Sequence, residues 1–580
     1  VYTRRDWFAL LGLSGMHAHA QGVSTRSVAS TPRAKSSGLP FQASFTDIAS
    51  AAGLHEPVIY GGIDSKQYIL ETVGCGLAFI DYDNDGWPDL FILNGARWKE
   101  ETPSATNRLY HNNRDGTFTD VTQKAGLTRS GWASAVCVGD YNNDGFEDLF
   151  ITYWGQDVLY RNNGNGTFTD VTKSAGLLYQ APESETRWGS GCSFVQTTRN
   201  GRLDLMVANY LAFDPRTALK PGENVNCTWK GVPVNCGPRG LPLGRVFLYR
   251  NNGDSTFTDI STASGVAKAR GYCMTVTAAD FRGSGFQDIY VACDSTPSFM
   301  FQNNGDGTFT DVALETGVAL NEDGMEQAGM GIAVGDFDLD GRLDLFKTHF
   351  ADDTDVLYKN SGKGNFEDVT IRAGIGVETR YVGWGAGMFD LDNDGHPDLF
   401  QVTGGVYPEV EKKIAAYPFK TPRLIFRNLG NGKFEELIGQ AGTGISAVHA
   451  SRGCAFADFD NDGDLDIAIV NMNEPPSLLR NDGAKSGAWL NVKLIGVKSN
   501  RSAIGARVLA HFEGKVQAAA VMSQSSFYSA NDLRLHFGLG PAKQVELEIF
   551  WPSGAKESIK AVAVRQFITV REGFGVVTKK

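Results

Sequence analysis

The chain is poor in the residues that most enzyme chemistry uses. It has nine histidines in 580 residues, none of them in an HExxH pair. No nucleophile elbow, P-loop or dinucleotide fingerprint appears either, so the commonest hydrolase, nucleotide and zinc templates are excluded. Long apolar runs are also lacking. The longest, from Trp7 to Met16, is about half the roughly 20 residues that span a bilayer. Basic charge is short as well: 54 Lys and Arg stand against 66 Asp and Glu, a formal −12. No basic stripe is present to meet phosphates, which argues against nucleic acid as a partner. Helical periodicity is scarce while glycine is abundant at 68 residues. Many short strands joined by tight turns, an all-β fold, are therefore expected.

The N-terminus reads as an export signal over residues 1–20. Arg4 and Arg5 precede the apolar run, and Ala18-His19-Ala20 supplies small residues for cleavage. The paired arginines resemble a bacterial twin-arginine signal, whose passengers cross the membrane already folded; a general secretory signal is the alternative. The protein is thus expected to be exported, periplasmic or secreted, with no transmembrane segment in the mature chain. Residues 21–40, rich in Ser, Pro, Arg and Lys, are expected to be a disordered spacer. Of eight cysteines, Cys227 and Cys236 share a loop of suitable length and are expected to form a disulfide. Cys75, Cys137, Cys192, Cys273 and Cys454 each fall just before a repeat loop and are expected to be buried free thiols.

What the chain has in quantity is self-similarity. Complete DxDxDGxxD loops run from Asp81 to Asp89, Asp336 to Asp344, Asp390 to Asp398 and Asp458 to Asp466; Asp140 to Asp148 differs only by Asn142. Two more are worn. Gln196 to Asp204 and Asp280 to Asp288 keep the spacing, but Gln196, Thr198, Asn200, Arg282 and Ser284 replace acids. Apolar segments of strand character flank each loop, and a second hairpin of the type LYxN-turn-TFTD follows, as at Leu109 to Asp120. Four strands per repeat make a propeller blade. The last repeat lacks its fourth strand, while an orphan Phe45-Thr46-Asp47-Ile48 precedes the first. The N-terminal strand is therefore expected to complete the seventh blade and close the ring, removing exposed edges.

These DxDxDGxxDLF and LYxNNGxGTFTD patterns resemble the FG-GAP repeats of integrin α-subunit propellers and of secreted proteins of the cartilage acidic protein type. The tail, with Ser526-Phe527-Tyr528-Ser529, Leu535 to Gly540 and Trp551-Pro552-Ser553-Gly554, resembles the ASPIC/UnbV domain that follows such propellers. The expected architecture is a seven-bladed β-propeller over residues 41–485 and a small β-sandwich over 487–572.

Calcium takes six to eight oxygen ligands, which a tight loop supplies from alternate residues. The predicted ligands are Asp81, Asp83, Asp85, Asp89 and the Trp87 carbonyl; Asp336, Asp338, Asp340, Asp344 and Arg342 carbonyl; Asp390, Asp392, Asp394, Asp398 and His396 carbonyl; and Asp458, Asp460, Asp462, Asp466 and Asp464 carbonyl. A fifth, weaker site is expected at Asp140, Asn142, Asp144, Asp148 and the Phe146 carbonyl. The third and fourth loops should be empty, with Arg282 standing where a cation would sit. An all-oxygen set argues against zinc or copper. An EF-hand would need glutamate at loop position twelve, where Ile92, Lys347, Gln401 or Ile469 stands instead. Four to five Ca2+ ions are expected, with a structural role.

The long insertions, Asn94 to Arg108, Leu211 to Val246 and Thr403 to Arg423, fall on the ring face opposite the metal loops, where functional loops commonly gather. Residues entering the innermost strands there are Glu71, Trp132, Arg187, Trp188, Tyr272, Glu326, Gln327, Tyr381, Trp384, His449 and Arg452. They either form a site for a sugar or amphipathic molecule or simply plug the channel. The leading expectation is a non-enzymatic calcium-binding propeller that recognises an extracellular or periplasmic protein or glycan. The alternative is a calcium-propeller enzyme, a polysaccharide lyase or a small-molecule rearrangement, working at the channel mouth.

Overall fold

A computed structural model describes residues 27–98, 100, 102, 104–179, 186–483 and 487–579; the expected signal lies outside them. Seven antiparallel sheets, each of four strands except the third, which adds Arg270–Gly271 as a fifth, occupy residues 45–481 together with a two-stranded sheet of Thr228–Trp229 and Val232–Pro233. In the first, Leu77–Ile80 pairs with Asp89–Ile92, then Arg108–Asn112, then Phe118–Asp120. The next five repeat this order in sequence. The seventh joins Ser451–Ala457, Asp466–Asn471 and Ser477–Asn481 to Phe45–Asp47, whose Phe45 is opposite Asn481. The strand nearest the N-terminus thus supplies the edge that the last repeat lacks. Innermost strands such as Ala133–Gly139 are buried at every residue, whereas outer strands such as Phe168–Asp170 bury only the phenylalanine. An inner strand is packed on both faces and needs no polar alternation.

Two seams hold neighbouring blades together. The asparagine at or near the end of each third strand donates its Nδ2 to the carbonyl of the second loop residue of the preceding blade, at 2.7 to 2.9 Å in all seven cases. Asn112 closes the circle by reaching Phe459 of blade seven. The same asparagine's N–H donates to the final aspartate of its own loop, again in all seven blades. Beside it, the outer-strand phenylalanine packs on that preceding loop residue: Phe118 on Phe459, Phe257 on Tyr141, Phe366 on Phe281 and Phe434 on Phe337, with centroids 5.7 to 5.8 Å apart. The Asn and Phe of the LYxN and TFTD signatures are therefore inter-blade contacts.

Residues 488–579 form two further four-stranded sheets, one containing Ala488–Ile495 and Gln566–Arg571, the other Arg507–Phe512 and Gln544–Phe550. This unit lies on the metal-loop face. Lys493 Nζ reaches Asp81 Oδ2 at 3.1 Å, Ser502 Oγ accepts from Asp140 N–H at 2.9 Å, and Ala518 N–H donates to Asp336 Oδ2 at 2.9 Å. From it the segment Ser523 to Ala530 enters the ring and fills the channel, touching the innermost strand of every blade. Ala530 N–H donates to Leu77 O in blade one, and Ser523 Oγ to Val138 O in blade two. Gln524 accepts from Cys192 N–H in blade three and from Thr277 Oγ1 in blade four. Ser526 donates to Ile332 O in blade five, accepts from Ala386 N–H in blade six and meets Cys454 Sγ in blade seven. A Cβ on Gly76 would lie 1.9 Å from Tyr528 O, so only glycine admits the segment there.

Residues 27–40, expected to be a disordered spacer, carry no helix or strand, but they are pinned to the sixth sheet's neighbourhood. Thr31 N–H donates to Gly376 O at 2.8 Å, Arg33 pairs with Glu378 and Glu436, and Leu39 O accepts from Arg427. Composition signalled lack of regular structure, and these specific polar contacts hold the stretch nonetheless.

Candidate functional site

Each loop turns between the first and second strands of a blade, and two left-handed positions wrap it. In the first loop these are Asn84 (φ 59°) and Gly86 (φ 86°); Asn393 and Gly395, and Asn461 and Gly463, repeat them. The opening aspartate is anchored by backbone N–H groups inside the loop. Asp336 accepts from Asp340 and Gly341, Asp390 from Asp394 and Gly395, and Asp458 from Asp462 and Gly463. Carboxylates consequently point inward together.

Oxygen atoms of Asp336, Asp338 and Asp344, of Asp390, Asp392 and Asp398, and of Asp458, Asp460 and Asp466 lie within 4.8 Å of one another. In the first loop Asp81, Asp83 and Asp85 form one such group and Asp83, Asp89 and His111 another. The first, third and ninth loop positions are gathered in three loops, and the first, third and fifth in the first one, as several acidic clusters that could hold metal ions. The chemistry of the donors suits a hard cation: buried Asp89 Oδ2, Asp338 Oδ1 and Asp392 Oδ1 accept no hydrogen bond. The second loop, with Asn142 in place of an acid, forms no such acidic group among the described residues; Asn142 Nδ2 donates to Asp144 Oδ2 at 2.8 Å.

Electrostatics mark the same loops. Burial, aided by neighbouring carboxylates, pushes Asp89 up to about 9 and Asp458 up to about 8, and holds Asp344, Asp398 and Asp466 well above the carboxylate range. Such groups need a cation or a proton. The worn loops supply internal substitutes. Thr197 Oγ1 donates to Asp204 Oδ2, and Arg282 makes a two-nitrogen contact with Asp288 at 2.9 Å. Burial still raises Asp204, but only to about 6, with the Thr197 hydroxyl opposing it.

Histidine 111, outside the expected ligand set, stands with its Nδ1 3.2 Å from Asp89 Oδ1. It occupies the third-strand position where Lys359 contacts Asp338 in blade five. The signal lay in the x of LYxN, which is basic in five of the seven repeats and histidine in this one.

On the opposite face the insertions interlock. Cys227 and Cys236 are disulfide-bonded, with Cα atoms 4.9 Å apart, and near them Trp229 packs edge-on against Tyr417 and Phe350. The proposed mouth residues are mostly satisfied internally. Glu71 accepts from Gly62, Gln67 and Tyr68 N–H groups. Arg187 is held by Asn209 and Tyr249 and lies over Phe247. Trp188 Nε1 donates to Ser134 Oγ, Tyr272 Oη to Leu241 O, and Gln327 Nε2 to Thr354 O. Trp132 packs on Tyr60, Arg380 lies over Tyr381, and Trp384 holds the ring of Phe527 on one side and the Arg452 guanidinium on another. Arg452 is fully buried, donating to Thr72, Gly405 and Ser451 carbonyls. Glu326 pairs with Arg239 and His449 with Glu474, both partly exposed. A small cavity remains beneath the insertions, lined among others by Tyr210, Arg239, Asp294, Phe350, Trp384 and Tyr407. Buried Asp294 accepts there from Tyr210 Oη at 2.5 Å.

A closed ring of four-stranded blades with acidic hairpin loops defines an FG-GAP-type β-propeller, and family comparison agrees. The FG-GAP-like repeat model matches residues 81–151, 140–207, 283–346 and 420–469, and the ASPIC and UnbV model matches 496–576. The chain carries FG-GAP repeats and a C-terminal ASPIC/UnbV domain. Its curated relatives include cartilage acidic protein 1 of Mus musculus, 25% identical over 66% of this chain and 54% of the relative. The Homo sapiens protein is also 25% identical, over 63% of this chain and 50% of the relative. The chain thus spans about half the length of the curated relatives it matches. Among solved structures, similarity extends to an Agrocybe aegerita lectin described as recognising non-reducing terminal N-acetylglucosamine. That match has TM-score 0.37 and 17% identity, over 71% of this chain and 94% of that one. A Bacillus licheniformis rhamnogalacturonan lyase matches with TM-score 0.35 and 12% identity, over 76% of each chain. No helix among the described residues is long and apolar enough to cross a membrane.

Proposed function

We propose that the protein is an exported, calcium-braced binding scaffold. Four to five Ca2+ ions sit in the acidic loops and hold the ring rigid, and a protein or glycan partner is recognised on the insertion face. The observation that carries the calcium reading is the set of buried carboxylate oxygens in the loops that accept no hydrogen bond. Oxygen-only donors in a tight turn match the needs of calcium. The partner reading is supported by the concentration of long insertions on one face of a rigid ring, with aromatic walls and one buried acid around a small cavity. The ASPIC/UnbV unit covers the loop face instead, where it shields the metal sites from the centre outward. It acts as a structural hub.

Calcium titration calorimetry on the demetallated full chain, with elemental analysis of the reloaded protein, tests this. Four or five equivalents bound are expected. A protein that takes up no calcium defeats the proposal, and uptake that leaves the melting curve unmoved defeats its structural role.

A further inference from the structure

The loop of blade four forms no acidic cluster among the described residues, and Arg282 pairs there with Asp288. The strands flanking this loop, Cys273–Ala279 and Asp288–Cys293, begin and end on cysteine. At the end of the hairpin far from the loop the two cysteines are direct partners across the antiparallel pair. Opposed residues in such a pair have Cα atoms about 4.5 to 5.5 Å apart, inside the range that a disulfide spans. Their Sγ atoms lie 2.9 Å apart, closer than two unbonded sulfurs rest, and each residue is 1% exposed. Of the remaining free cysteines, Cys75 Sγ aims at Leu93 O and Cys454 Sγ at Ser526 Oγ, while Cys192 Sγ lies 3.8 Å from Phe150 O with the Cys137 thiol beside it.

We propose that Cys273 and Cys293 are joined by a second disulfide in the mature protein, making a covalent clamp for the blade that has no metal. The bond forms by exchange with a disulfide-bearing thiol oxidant. One cysteine, as thiolate, attacks the oxidant's disulfide and gives a mixed disulfide; the second thiolate then displaces the oxidant. The two thiol protons go to solvent, and the oxidant leaves carrying the two electrons as a dithiolate, which takes two protons back from solvent to become a dithiol. Cys227–Cys236 shows that oxidised cysteine pairs belong to this chain. Burial, with the Cys273 sulfur beside it, holds the Cys293 thiol well above its ordinary range. A sealed, protonated thiol exchanges poorly, so the bond forms while the hairpin is still open and is shielded afterwards.

Two consequences follow. The cross-links then belong to blades three and four, whose loops are worn: Cys227–Cys236 staples the insertion of one, and Cys273–Cys293 clamps the hairpin of the other. A bond formed before the hairpin closes also requires folding in an oxidising compartment, which favours the general secretory route over passage of a folded chain.

The test uses full-length protein purified from its oxidising compartment, unfolded in iodoacetamide without reductant and weighed intact. Alkylation of four cysteines is expected, two fewer than the six not bonded here. Trypsin cuts after Arg270 and Arg282, so unreduced digestion should yield peptide 271–282 linked to the peptide that contains Cys293. Six alkylated cysteines overturn the proposal, and so does a map pairing Cys137 with Cys192 while Cys273 and Cys293 carry label. As a second reading, the Cys273→Ser, Cys293→Ser double variant should melt about 5 °C lower than the parent in both calcium and EGTA. If that variant does not fold, the mass map alone decides.

Discussion

Blades four and five share one frame but differ in how their loops balance charge. Both send the third-strand asparagine to the preceding blade, Asn303 to Thr197 O and Asn360 to Phe281 O, and both receive its N–H on the final aspartate. In blade five that aspartate, Asp344, stands near Asp336 and Asp338 and is held far above its ordinary pKa. In blade four the partner of Asp288 is a guanidinium. The seam that joins blades is thus independent of how the loop's charge is balanced, and a repeat can lose its acidic cluster without leaving the ring. Arginine is a suitable replacement because its planar fork meets both oxygens of one carboxylate.

The comparison can be broken most forcefully by removing calcium. A ligand held at a hundred times its Kd stabilises by about 2.7 kcal/mol per site, so four sites amount to about 11 kcal/mol. Scanning calorimetry in EGTA is expected to show a fall of more than about 10 °C, with blades three and four the last to gain deuterium in exchange mass spectrometry. Uniform exchange around the ring would mean that the two kinds of loop do not differ in metal dependence.

Next in size is pH. The ion-free chain holds Asp89 at about 9 and Asp458 at about 8 in the folded state, against about 3.9 unfolded. The folded form binds these protons more tightly, so ion-free protein gains stability as pH falls from about 9 toward 4. Calcium-loaded protein should do the reverse, since protons compete for its ligands. Melting at pH 5.5 and 8 with and without EGTA reads this, and parallel slopes would count against it.

Smaller again is conversion of one loop type into the other. Arg282→Asp with Ser284→Asp completes the fourth loop and should add one calcium per chain, while Asp344→Asn should remove one and cost about 2 kcal/mol in calcium. Elemental analysis gives the counts. Smallest is the seam: Asn303→Ala and Asn360→Ala should each cost about 1 to 3 kcal/mol in chemical unfolding, alike in both blades. A clear inequality would show that the metal supports the seam after all.

Much of this was legible because the repeat displays it seven times. The apolar segments flanking each loop, the DxDxDGxxD spacing and the orphan Phe45 strand sufficed for the four-stranded blades and the ring closure. The acidic clusters were legible because alternate residues of a tight turn point inward. The channel was not. Glu71, Trp188 and Arg452 looked like mouth residues, but their polar atoms are taken by backbone groups and by Ser134. What occupies the channel lies more than 400 residues beyond blade one in the chain, as Ser529 Oγ shows by accepting from Leu77 N–H across 452 residues. Single-sequence patterning reads local period, and no period links Ser526-Phe527-Tyr528-Ser529 to the strands it touches. The Cys273–Cys293 encounter escaped for a similar reason, since it depends on strand register and Cys293 ends a strand without marking a repeat.

The segment that fills the ring also orders events in time. Residues 523–530 leave the ribosome after all seven blades have been made, so the wheel is complete before its axle exists. Until that axle arrives, the inner-strand amides of Val138, Phe79 and Ile332, which bond to Ser523, Ala530 and Ser526, have no counterpart in the blades. A chain cut short ahead of Ser523 would therefore carry every repeat and still lack a finished interior, and quality control that senses such amides would reject it as incomplete.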